Sequence, residues 1–128
     1  MVIPIDDQAI SLKETLAHAV ELAELLYAIP AVRQSRGSVE IDTIHLDRKF
    51  YLRVKCFHYS TLVWVHYYPE RGFDIGEVMD DVGIDLGEFC VLPGPYEGQI
   101  TTPTLDAIAG IVADGIDRWL NREVEGGE

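Results

Sequence analysis

Between residues 39 and 68 apolar and polar positions alternate with a period of two, the pattern of strands buried on one face. Turn signals interrupt the alternation twice, so three strands are predicted at about 39–46, 49–57 and 61–68. With Asp47-Arg48 as the first turn, Glu40 falls opposite Lys55 and Asp42 opposite Arg53. The same register sets Val39, Ile41, Thr43 and His45 on one face with Cys56, Val54, Leu52 and Phe50. A one-residue slip would lose both the charge pairs and the apolar face. With Tyr59-Ser60 as the second turn, Cys56, Val54 and Leu52 meet Val63, Val65 and Tyr67 on the core face. The opposite face then pairs Phe57 with Leu62, Lys55 with Trp64, Arg53 with His66, and Tyr51 with Tyr68.

Helical periodicity flanks the strands. Ser11-Leu12-Lys13-Glu14 has the form of a capping box, which predicts a helix start at Ser11. Leu12, Leu16, Ala19, Ala23 and Leu26 then recur at spacings of four and three, with Val20, Leu22, Leu25 and Ile29 widening the stripe. Pro30 ends that helix, and residues 33–38 read as a polar connection. His18 is expected in solvent near Glu14 and Glu21. A last helix is predicted from Thr102-Pro103, a threonine cap with proline at the first helical position. Leu105, Ile108, Val112, Ile116 and Trp119 line one face of it. Glycine inside a helix costs about 1 kcal/mol relative to alanine. Gly110 and Gly115 are therefore expected at a close contact, against the Ala17/Ala23 side of the first helix. The tail at 123–128 is expected to fray.

Residues 70–100 are acidic and rich in glycine. Asp74-Ile75-Gly76-Glu77 is echoed by Asp85-Leu86-Gly87-Glu88. The carboxylates do not follow the alternate-position spacing of an EF-hand loop, and they read instead as caps of short helical turns closed by Gly83. Pro93-Gly94-Pro95 breaks what begins as a strand at Phe89. The expected fold is α+β: one domain over 1–128, with an antiparallel three-stranded meander packed with an N-terminal and a C-terminal helix. An acidic irregular segment lies between strand three and the last helix.

The 128 residues suffice for one core, and 48% of them are apolar, which excludes global disorder. Net charge is −12, divided as −4 over residues 1–30, +3 over 31–69 and −11 over 70–128. An acidic whole disfavours generic binding to nucleic acid or to an anionic membrane. Cys56 and Cys90 form no C-x-x-C pair and no disulfide framework, Cys56 falling on the core face. With no basic-then-apolar leader and no run long enough to span a bilayer, the expected location is cytoplasmic.

His18, His45, His58 and His66 make no metal-ligand spacing, and no serine or cysteine stands in a nucleophile motif. The glycines of 72–98 follow neither the phosphate-loop nor the dinucleotide pattern. Catalytic residues, metal ligands and cofactors are thus not assigned. The candidate that remains is the aromatic and basic sheet face: Tyr51, Arg53, Lys55, Phe57, Trp64, His66 and Tyr68. Rings beside cations can stack on bases, but only Arg53 and Lys55 supply charge there, so a protein is the favoured occupant. That occupant is a partner, a second copy of the chain, or the chain's own 70–100 segment.

The order helix, three strands, short helix, irregular segment, final helix resembles that of class I secretion chaperones. The ending Thr102-Pro103-Thr104-Leu105-Asp106 … Ile116-Asp117-Arg118-Trp119 is similar to their final helix. The resemblance covers the chain in outline and has no diagnostic residues. That family has further strands between the middle and final helices, where this chain has Pro93-Gly94-Pro95. The resemblance implies dimerisation and binding of an extended segment of a partner. The order helix, strands, helix is also similar to double-stranded-RNA-binding domains, but the acidic last helix region contradicts that function. The reading is a non-catalytic protein-binding module, a chaperone, adaptor or inhibitor, that dimerises or binds another protein and takes no nucleic acid and no membrane. The alternative is a small enzyme or ligand-binding protein with an unrecognised site.

Overall fold

Five strands form the sheet, where three are predicted. The computed structural model describes residues 5–57, 59–78 and 100–126. Along the chain lie α1 (Ile5–Tyr27), α2 (Pro30–Gln34), β1 (Ser38–Ile44), β2 (Lys49–Cys56), β3 (Tyr59–Tyr68), β4 (Gly72–Val78), β5 (Ile100–Thr102) and α3 (Leu105–Gly126). All neighbouring strands pair antiparallel in the order β1-β2-β3-β4-β5. The expected three-stranded meander is therefore corrected to five strands. The supposed cap Asp74-Ile75-Gly76-Glu77 lies within β4. Phe73 and Ile75 alternate inward there and are buried, a period of two that the acids and glycines obscure. The expected turn at Gly83 and the broken strand from Phe89 lie outside the described residues.

One face of the sheet carries the core. Burial along β2 alternates strictly, with Phe50, Leu52, Val54 and Cys56 buried and their neighbours half-buried. Val63 and Val65 of β3 and Phe73 and Ile75 of β4 continue this face. Both long helices pack here, α1 through Ala19, Leu22 and Leu26, and α3 through Leu105, Ile108, Val112 and Ile116. On α3 the predicted face is observed as far as Ile116. Its N-cap is Thr104, whose Oγ1 accepts from the Ala107 amide at 3.1 Å, and not Thr102, which belongs to β5.

The face α1 buries is rotated from the one predicted. Thr15, Ala19, Leu22 and Leu26 are buried, whereas Leu12 and Leu16 are 38% and 46% exposed. The helix is apolar over a wide arc, so spacing alone admits both stripes. The helix also begins at Ile5, which puts Ser11 inside it and not at its cap. His18 is half-buried, its ring 4.4 Å from Tyr67 and 5.4 Å from Phe73, so it closes the core instead of facing water. Gly110 is exposed with no atom within 4 Å of where a Cβ would stand, which contradicts a close contact there.

Between α1 and β1 the expected polar connection is in part the helix α2. Its end is a Schellman motif: the Gly37 amide bonds to Val32 O at 2.8 Å, the Arg36 amide to Arg33 O at 3.2 Å, and Arg36 takes φ 55°. Gly37 is required for a different reason, because a Cβ there would stand 2.0 Å from Lys55 O. Cys56 is buried beneath this turn. Its Sγ donates to Ala31 O at 3.5 Å, and burial pushes the thiol pKa up. It is a small core residue, as the alternation predicts.

Candidate functional site

The site is the face of the sheet opposite the helices, and its membership follows from strand parity. The β2–β3 register differs from the predicted one by four residues. Cys56 pairs with Tyr59 and Lys49 with His66, so the chain reverses between Cys56 and Tyr59. The predicted register would set Pro69 opposite Phe50, where proline cannot donate to the ladder. The observed one pairs all eight residues of β2. Because the shift is even, every β2 and β3 side chain keeps its predicted face, and only its neighbours change.

The first hairpin is corrected as well. Glu40 lies opposite Arg53, not Lys55, and a bulge at Asp42 brings Thr43 opposite Tyr51 and Ile44 opposite Phe50. Thr43 and His45 thereby leave the core face and Ile44 joins it, and Asp42 does not pair with Arg53. Glu40 and Lys55 still share a face, on a diagonal, with 3.7 Å between Oε1 and Nζ.

Six of the seven predicted residues are brought together: Tyr51, Arg53, Lys55, Trp64, His66 and Tyr68. Phe57 is not among them. It follows β2 at the start of the turn, at φ 57°, and is 52% exposed. Two rows cross the centre of the face. One is Thr43, Tyr51, Trp64 and Gly76, and the other is Lys49, His66, Asp74 and Thr101.

Trp64 is held flat toward β4. A Cβ on Gly76 would stand 2.3 Å from the indole Cζ2, so glycine leaves the space the ring occupies. Lys49 Nζ lies over this ring, 4.9 Å from its centroid, and 5.6 Å from that of Tyr51. The His66 and Tyr68 rings stand 4.2 Å apart, and the Arg71 guanidinium covers Tyr68 at 4.0 Å. The His45 ring stands 5.5 Å from Tyr51.

Among the described residues one carboxylate is buried at this face. Asp74 accepts from Arg71 at 3.1 Å and from the Thr101 hydroxyl at 2.7 Å, which ties the β3–β4 loop to β5. Asp74 thus belongs to a structural pair and not to a helix cap. Glu77, on the helix side of β4, accepts from Thr61 at 2.8 Å. Among the described residues no group of three His, Cys, Asp or Glu side chains is placed to hold a metal ion.

Lys49, Arg71 and His45 escape the sequence reading. The last two enter through the loop geometry at 69–71 and the bulge at Asp42, neither of which alternation encodes. Lys49 was readable as the i−2 neighbour of Tyr51 on the same face. Of the three occupants considered, the chain's own 70–100 segment is not one over residues 72–78, which extend the sheet as β4. The rest of that segment lies outside the described residues.

Comparison of the chain with protein-family models, with curated proteins and with solved structures finds no match in any of the three. Among the described residues no helix is long and apolar enough to cross a membrane.

Proposed function

We propose that this chain is a non-catalytic protein-binding module, a chaperone, adaptor or inhibitor, that takes its partner on the open sheet face. The observation that carries the reading is Trp64. A large indole is fixed flat on Gly76, half-buried, beneath the ammonium of Lys49. Rigid aromatic anchors with a charged rim are what protein interfaces use for most of their affinity. Lys49, Arg53, Lys55 and Arg71 share the face with Glu40 and Asp74, so it is locally basic on an acidic protein. It therefore suits a partner surface of aromatic or aliphatic residues ringed by carboxylates. Nucleic acid is disfavoured by the net charge of −12.

The likeness in element order to secretion chaperones supports the reading only as analogy of fold. Two strands do precede the last helix, yet β4 follows β3 directly where that order has a helix.

The test is capture of a stoichiometric partner from native extract, followed by its affinity for Trp64→Ala and Lys49→Glu. At least a tenfold loss for each variant, with folding retained, supports the reading. An unchanged affinity overturns it.

A further inference from the structure

We propose that the pole of the sheet where β2 turns into β3 is a second binding surface, and that it takes a short acidic segment of another protein with an apolar residue among its carboxylates. The groups that would hold it are Arg33, Arg36 and Phe57. They stand apart from the open face around Trp64, and the inference does not rest on the open-face reading.

The fold brings these three residues to one place. Ser38 of β1 pairs with Lys55 of β2. Arg36 and Phe57 each lie two residues beyond that pair, where the two chains leave the same end of the ladder. The loop after α2 is fixed against the end of β2, because Ser35 Oγ donates to Cys56 Sγ at 3.7 Å and Gly37 packs on the Lys55 carbonyl. Arg33 stands in the last turn of α2, three residues before Arg36.

Neither Arg36 nor Phe57 is suited to its backbone. Arg36 takes φ 55° and Phe57 φ 57°, left-handed conformations that favour glycine or asparagine. The core does not need these side chains either. Phe57 is 52% exposed and outside the core cluster, and both arginines are exposed. Among the described residues neither arginine side chain makes a hydrogen bond or an ion pair. Bulky side chains held in strained conformations without a role inside the fold point to a contact outside it.

The chemistry of these groups defines the occupant. On a chain with 22 acids and 10 bases, Arg33 and Arg36 are two neighbouring cations left without a carboxylate among the described residues. The acid on the adjoining strand, Glu40, is already held by Lys55 at 3.7 Å. Guanidinium groups take carboxylates in bidentate pairs, and an apolar residue between those carboxylates would cover the Phe57 ring. The occupant must also be short. Charges are screened beyond about 8 Å at physiological salt, so a short segment meets mainly the arginines. A long polyanion or an anionic membrane meets the net charge of −12.

The probe is a capped, fluorescently labelled peptide with one leucine among glutamates, followed by anisotropy with the full chain at physiological salt. Arg36→Gly and Phe57→Asn suit the left-handed backbone, so both variants should melt at or above the parent temperature. Each should nonetheless weaken the peptide at least tenfold, as should Arg33→Gln. Trp64→Ala should bind it as the parent does. The proposal is overturned if the parent does not bind the peptide or if the three variants bind it unchanged. Equal binding of a glutamine–leucine peptide, or of a short oligonucleotide, overturns it as well. So does sedimentation that shows head-to-tail chains dispersed by Arg36→Gly, since a second copy would then hold the pole. A tenfold tighter peptide in the combined variant Asp80→Asn, Asp81→Asn, Asp85→Asn and Glu88→Gln also overturns it, since this chain's own acids would then compete for the arginines.

Discussion

On β2, Phe50, Leu52, Val54 and Cys56 are buried under two helices, while Lys49, Tyr51, Arg53 and Lys55, each one residue away, are half-buried. The two faces share a backbone and a hydrogen-bond ladder and differ only in side chains. On the helix side, β-branched and aliphatic groups interlock with α1 and α3. On the open side, cations lie over the rings of Tyr51, Trp64 and Tyr68. The contrast separates two tasks. The helix face holds the fold together. The open face is ordered by ring and cation contacts.

The largest expected effect falls on the helix face. Leu52→Ala should destabilise the protein by about 2–5 kcal/mol in denaturant unfolding, from lost burial and the cavity left behind. Lys55→Ala, three residues along on the open face, should change stability by no more than about 0.5 kcal/mol. Equal costs would break the comparison. Next in size is Gly76→Ala, which drives a Cβ into the Trp64 indole. It should cost about 1–3 kcal/mol. In a Trp119→Phe background it should also shift Trp64 emission to the red as the ring lifts toward water. Gly110→Ala should instead stabilise by about 0.5–1 kcal/mol, because the position is exposed in mid-helix and a Cβ there meets nothing. The smallest effect is expected for Leu16→Gln on the exposed α1 stripe, within about 0.5 kcal/mol of the parent. A cost near that of a core leucine would show that the stripe is covered.

Parity was legible in the sequence, and registry was not. Alternation assigns each residue of 49–56 and 61–68 to a face, and six of the seven predicted site residues share the open one. Which of them touch depends on where the turn falls, and the turn residues do not announce it. Phe57 adopts φ 57°, a conformation bulky residues rarely take, so no turn signal marked the position. The same blindness hid the bulge at Asp42, which moved Thr43 and His45 to the open face. β4 was missed because Asp74 and Glu77 look like helix-capping acids. Their roles, pairing with Arg71 and Thr101 and accepting from Thr61, need β3 and β5 in place first. On α1 the apolar arc is wider than the buried stripe, and only packing decides which columns the core takes. The residues it leaves out line a groove beside β1.

The central claim is that the open face, with Trp64 at its middle, is where a protein partner docks. Trp64 emission in a Trp119→Phe variant reads this directly, with the captured partner, and separately a short oligonucleotide, added to saturation. The account predicts that the partner shifts Trp64 emission to the blue and shields it from acrylamide, while the oligonucleotide leaves it unchanged. Emission that ignores the bound partner, or that responds to the oligonucleotide instead, would contradict it.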